Sequence, residues 1–191
     1  MAQKMKKILY SSTLILLSGC VSSLKQPIPV IQYYSAPQPS TQTATIIGNI
    51  YERKYLADSM AFVLAVDQQK IINPREQLKQ PLNLEAGKRD LQIWCQKGSF
   101  KYTNLITVDV EAGKHYQVGY ELNTNGQYGC HFWIYDLDNK KAIGELVAGA
   151  EIGKYSNPNQ IKPITHLIDA RPTTNHSYTV PIRVINKMGS R

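Results

Sequence analysis

Between residues 44 and 148, apolar positions alternate with polar or small ones in short runs, the period-two signature of strands with a buried face. Met60, Phe62, Leu64 and Val66 alternate with smaller apolar residues and stop at Asp67. Leu82 and Leu84 lead into Glu85-Ala86-Gly87-Lys88, after which Leu91, Ile93 and Cys95 share one strand face. Ile106, Val108 and Val110 lead into a second Glu-Ala-Gly-Lys at residues 111–114, followed by Tyr116, Val118, Tyr120 and Leu122. Cys130, Phe132 and Ile134 form one face of a last strand, with Gly129, His131, Trp133 and Tyr135 on the other. Short strands separated by turns predict an all-β fold, an antiparallel β-sandwich of immunoglobulin-like type. The two Glu-Ala-Gly-Lys turns read as two hairpins of one sheet system, glycine supplying the positive φ of a tight connection. Helix is scarce: residues 52–60 predict a short turn at most, and 74–80 a loop.

The flanks follow different rules. Lys4, Lys6 and Lys7 precede an uncharged run over residues 8–17, which breaks into Ser18-Gly19-Cys20. That order describes a secretory signal peptide, and the run is too short to cross a bilayer. Leu17-Ser18-Gly19-Cys20 resembles the bacterial lipobox. The resemblance implies cleavage before Cys20, a diacylglycerol on its sulfur and a third acyl chain on the new amine. Each buried CH₂ contributes roughly 0.8 kcal/mol, so several chains hold almost permanently. Val21 and Ser22 place no acid directly after Cys20, which by similarity to sorted lipoproteins favours the outer membrane, facing the periplasm. The expected layout is a signal peptide at 1–19, a lipidated cysteine and tether at 20–43, the sandwich at 44–148 and an extension at 149–191. Pro27, Pro29, Pro37 and Pro39 make the tether an extended, disordered stretch. Val30, Ile31, Tyr33 and Tyr34 are its apolar exception, able to dock on a sheet.

Charge sharpens the picture at the other end. The chain of 191 residues carries a formal charge of +8. Lys154, Lys162, Arg171, Arg183, Lys187 and Arg191 concentrate positive charge in the extension, whose prolines argue against a helix. It is expected to be irregular, needed for partner binding and dispensable for the folding of 44–148. Residues 178–185 fit an edge strand that tolerates Pro181.

The phrase 81–88 followed by Leu91-Gln92-Ile93-Trp94-Cys95 resembles PEGA-like β-sandwich modules. The continuation through residues 111–116 and 130–136 is similar to small envelope lipoproteins built on them. Coverage is about residues 44–146. The resemblance implies binding or scaffolding in the envelope and supplies no catalytic residue.

The sequence is quiet about chemistry. It has no Gly-x-Ser-x-Gly elbow, phosphate loop or His-Glu-x-x-His pair. His115, His131, His166 and His176 lack metal-ligand spacing, and Cys130 and His131 point to opposite strand faces. No catalytic residue, metal or cofactor is expected. Asp136 and Asp138 read as a turn closing the strand. With Cys20 lipidated in an oxidising compartment, Cys95 and Cys130 remain to pair across the core as a disulfide. Trp94 and Trp133 point away from the faces of Ile93 and Phe132. Either they mark an interaction surface, or the tether, the tail or a second sheet covers them. The expected partner-binding set is Trp94, Trp133, Lys162, Arg171, Arg183 and Lys187.

Export disfavours nucleic acid as the partner of the basic zone and favours an anionic envelope polymer or an envelope protein. The expected function is a non-catalytic, lipid-anchored binding or scaffolding protein. Its rivals are an accessory subunit of a secretion, pilus or conjugation machine, and an envelope hydrolase or hydrolase inhibitor.

Overall fold

The structure, a computed structural model, describes residues 31–52, 56, 58–122 and 129–170. Cys20, Arg171, His176, Arg183 and Lys187, and the edge strand expected at 178–185, lie outside the described residues. Within them the strands are β1 (Thr43–Ile47), β2 (Asn49–Tyr51), β3 (Ser59–Val66), β4 (Gln69–Lys70), β5 (Leu82–Glu85) and β6 (Gly87–Lys97). They continue as β7 (Phe100–Val110), β8 (His115–Leu122), β9 (Cys130–Asp136), β10 (Lys141–Ala148) and β11 (Ala150–Ile152). One sheet has the order β10-β9-β8-β1-β5, and the other runs β11-β7-β6-β3-β2 with β4 beside β3. The expected all-β sandwich is therefore the fold. Every pairing between named strands is antiparallel except β1 with β8, which is parallel and makes the first sheet mixed.

Except on β3, where Phe62 and Leu64 do not share the face of Val66, the inner faces carry the alternation read from the sequence. Ile46, Leu84, Tyr116, Val118, Phe132 and Ile134 come from one sheet, and Val63, Leu91, Ile93, Ile106, Val108 and Val110 from the other. Cys95 on β6 and Cys130 on β9 join the two sheets through a disulfide with Cα atoms 6.5 Å apart. The bridge lies in the core, with the two residues 0% and 1% exposed.

Both Glu-Ala-Gly-Lys turns depart from expectation. Neither closes a hairpin. β5 pairs with β1 in one sheet while β6 pairs with β3 and β7 in the other, so the first turn carries the chain between sheets. The second does the same between β7 and β8, with φ of +105° at Gly87 and +75° at Gly113. A positive φ at glycine serves an arch as well as a hairpin, and only the partner of each strand distinguishes them. Gly149 is a one-residue corner between sheets, where a Cβ would lie 2.8 Å from Tyr102 and 2.9 Å from Phe132.

β3 shows how a bulge redirects side chains. Its register against β6 shifts between Val63 and Ala65. One extra residue reverses the alternation, so Val66 joins Ala61 and Val63 in the main core while Phe62 and Leu64 face outward. On its other edge β3 pairs with β2 at Ser59–Ala61 and with β4 at Ala65–Val66, which leaves Val63 between them. The buried Gln77 fills that gap like a peptide unit. Its Nε2 donates to the Val63 carbonyl at 2.8 Å and its Oε1 accepts from the Val63 N–H at 3.2 Å. Gln77 belongs to a single 3₁₀ turn, Pro74–Leu78, where a loop was expected. Gln77→Leu keeps the volume but leaves two buried backbone groups unpaired, which is expected to destabilise by about 2–3 kcal/mol. Chemical denaturation checks this, and a midpoint equal to the wild type would refute it.

The flanks are more ordered than composition suggested. The tether expected to be disordered is held over its described part. Tyr33 bridges in parallel to Lys70, the Tyr34 N–H donates to the Lys70 carbonyl at 2.8 Å, and the Tyr34 hydroxyl donates to the Asn83 carbonyl at 3.0 Å. Burial pushes the Tyr34 hydroxyl up to about 12, so it stays protonated and keeps donating. The apolar exception seen in the sequence is what docks.

The expected boundary at 148 also moves. β11 pairs with β7, so the second sheet includes residues 150–152. Residues 153–168 then run against that sheet, tied by side chains to backbone. Lys101 Nζ donates to the carbonyls of Lys154 and Ser156, and Lys70 Nζ to that of Asn159. Gln92 accepts from the Ile164 N–H at 3.1 Å. Asn104, 1% exposed, donates to the carbonyls of Ala148 and Ile168 and accepts from the Ile168 N–H, each at 2.8 Å. Under this strap lies a second small core of Phe62, Leu64 and Trp94, with Leu78, Ile152 and Ile161 packed on it. The strap's apolar residues, which fit no simple basic tail, have this purpose.

Candidate functional site

The outer face of the six-stranded sheet is covered by the protein's own chain. Trp94, expected as a possible contact residue, is 0% exposed; its ring centroid lies 6.3 Å from that of Phe62 in a stacked pair. It points away from the main core, as the alternation required, and the strap meets it there. It is therefore not a surface residue, and a soluble quencher is expected to leave its emission untouched.

The outer face of the five-stranded sheet is built differently. β8 and β9 place three cross-strand pairs in a row on it: Glu121 with His131, Gly119 with Trp133, and Gln117 with Tyr135. Alternation forces this set outward because Val118, Phe132 and Ile134 point to the core. Gly119 sits in mid-strand, and the space a Cβ would occupy there is filled by the pyrrole half of the Trp133 indole. The ring thus lies across the bare backbone of β8 and stays partly exposed. Ile47 of β1 neighbours Gln117 on the far side. On the near side β10 bulges between Ile143 and Val147, opposite Trp133, so the ladder is interrupted beside the indole.

The polar ends of the row differ in charge behaviour. Burial pulls the His131 imidazole below its ordinary pKa, against the opposing pull of the Glu121 carboxylate. The ring is therefore neutral around pH 7, with one nitrogen donating and the other accepting. Glu121 is exposed, Gln117 half-buried and Tyr135 buried.

Asp136 and Asp138, at the end of β9, close a turn as the sequence indicated. Asp136 Oδ1 accepts from the N–H groups of Asp138 and Asn139, both at 2.9 Å, and its Oδ2 accepts from Asn139 Nδ2. Asp138 accepts the His115 N–H at 2.9 Å and faces the His115 ring. Burial pushes the Asp136 carboxyl up, but the Asn139 and Asp138 donors outweigh it and hold the group below the ordinary carboxylate range. A depressed carboxylate stabilises the fold above its unfolded pKa, and that contribution fades as pH falls through the lower folded one. Asp136→Ala is therefore expected to lose stability at pH 7 and to flatten the acid limb of a stability–pH curve below pH ~4. An unchanged acid limb would contradict the assignment.

The remaining sequence candidates scatter. Lys162 is exposed on the strap. Arg171, Arg183 and Lys187 cannot be placed beside it, lying outside the described residues. Among the described residues no group of three or more His, Cys, Asp or Glu is arranged to hold a metal, and no helix is long and apolar enough to cross a membrane. Sequence reading singled out Trp133 but missed Gly119, Gln117 and Glu121. An isolated glycine inside an alternating strand is the signal that marked the close approach.

The class that fold and site define is an all-β sandwich with an inter-sheet disulfide, one outer face covered by its own chain and one bearing a row of aromatic and polar pairs. No family model, curated protein or solved structure matches the chain.

Proposed function

We propose that this protein is a lipid-anchored, non-catalytic binding or scaffolding protein of a bacterial envelope, held through Cys20 in the outer membrane and facing the periplasm. The observation that carries the binding part is the contrast between the two outer faces. One sheet has its outer rings covered by Leu78, Ile152 and Ile161 of the same chain, while the other leaves Trp133 partly exposed among Gln117, Glu121 and His131. Aromatic rings with nearby polar groups are the usual composition of an interaction surface. The basic character of the chain favours an anionic envelope polymer or an acidic envelope protein on the opposite side of the contact.

Anchoring and binding are tested separately. Cys20→Ser is expected to move the protein from the membrane fraction to the soluble fraction, or to stop its processing. A wild type that takes up no alkyne-labelled fatty acid would refute the anchor. A photo-crosslinker at position 117 is expected to trap an envelope component in cells, and the same probe at the strap residue Lys162 to trap less. Equal or absent products at 117 would refute the binding face.

A further inference from the structure

We propose that the Gly119–Trp133 pair is a stacking platform for a pyranose ring, so that the ligand of this face is a neutral or acetamido-bearing glycan strand. The inference rests on the binding reading above but assigns this face a neutral ligand in place of an anionic one, because the row holds Glu121 and no lysine or arginine. Three features lead there. First, the indole lies across the β8 backbone because residue 119 has no Cβ, which seats one side of the ring and leaves the remainder partly exposed. The negative face of an indole attracts the polarised C–H groups that line one side of a sugar ring. Second, hydrogen-bonding groups flank it at both ends: Glu121 and His131 two residues one way along the strands, and the half-buried Gln117 two residues the other. Successive outward positions on a strand are ~6.6 Å apart, so a sugar ring seated on the indole brings its rim hydroxyls toward both ends. A carboxylate, a neutral imidazole and an amide supply the mixed donors and acceptors that hydroxyl and acetamido groups require. Third, Glu121 is exposed at the rim, and its charge disfavours an acidic sugar at that position.

A proline-rich peptide is the competing occupant of an aromatic surface. It docks in grooves between aromatic side chains. Here the indole is laid down over a glycine, which makes a platform and favours the sugar.

The test uses the full chain in detergent micelles, with the tetramer of N-acetylglucosamine as probe and tryptophan emission as readout. Trp94 is 0% exposed, so a ligand-dependent change reports Trp133. A saturable blue shift is expected for the wild type. Trp133→Leu, which keeps apolar bulk without a π face, is expected to weaken binding at least tenfold, read by calorimetry, with the melting curve nearly unchanged. The Gln117→Ala/Glu121→Ala pair is expected to weaken it three- to tenfold. No saturable change in the wild type, equal binding by Trp133→Leu, or a response to a proline-rich decapeptide in place of the sugar would each overturn the proposal. Sedimentation with insoluble peptidoglycan separates this inference from the broader one. If the protein co-sediments while the tetramer does not bind, the sugar platform falls and the envelope-binding reading stands. If neither binds, the sugar platform falls, and the crosslink from position 117 decides the broader reading.

Discussion

A chain ending at Tyr155 is expected to lose its cooperative fold, or to melt at least ten degrees lower, with tryptophan emission shifted to the red. The deletion removes Ile161 from the small core of Phe62, Leu64 and Trp94. Losing Ile161 uncovers part of two aromatic side chains whose full burial contributes roughly 1.5–3 kcal/mol each, a sizeable share of the ~5–15 kcal/mol of a whole domain. It also removes the strap groups bonded to Gln92, Asn104 and Lys70. Burial disfavours the Lys70 ammonium and lowers its pKa, and its bond to the Asn159 carbonyl offsets part of that cost in the intact chain. The alternative expectation from charge and proline content was that residues 156–191 could be removed without harm to 44–148. Thermal melts and emission spectra of the truncated protein distinguish the two. A sharp melt with unshifted emission would show that the strap is not part of the fold.

Replacing Cys95 and Cys130 together by alanine is expected to destabilise by about 4 kcal/mol and lower the melting point by roughly 8–16 °C. The bridge closes a loop of 35 residues, which sets the chain-entropy loss of the unfolded state. It also joins opposite sheets, so its loss frees β6 from β9 where no backbone ladder connects them. Both residues are at most 1% exposed, so a small reductant reaches the sulfurs only when the sandwich opens. The native protein should therefore resist reduction and alkylation until denaturant is added. Intact mass after alkylation reads this directly. Two labelled thiols without reductant, or a double variant as stable as the wild type, would contradict it.

The inner faces of β6, β7, β8 and β9 were legible because each strand is long, unbulged and buried on the core side, so period two maps directly to the contacts. The disulfide was legible for the same reason: Cys95 and Cys130 each fell on the core face of such a strand. The turn at Asp136 was legible because its bonds are local in sequence. Trp133 was legible as outward-facing, but the platform was not, because its other half is Gly119 on a neighbouring strand.

By itself the sequence determined an all-β sandwich, the core faces of its unbulged strands, the pairing of its cysteines and the outward sense of both tryptophans. These depend on alternation within one strand or on the number of partners available. The tertiary structure decided which strands share a sheet, and so turned both Glu-Ala-Gly-Lys turns from hairpins into arches between sheets. It decided that Trp94 is core and Trp133 surface, because a strap distant in sequence covers one and not the other. It placed Gln77 against Val63 and Asn104 against Ile168, bonds that join residues 14 and 64 positions apart. Periodicity carries no information about such pairings, since it records which side a residue faces and not what arrives there.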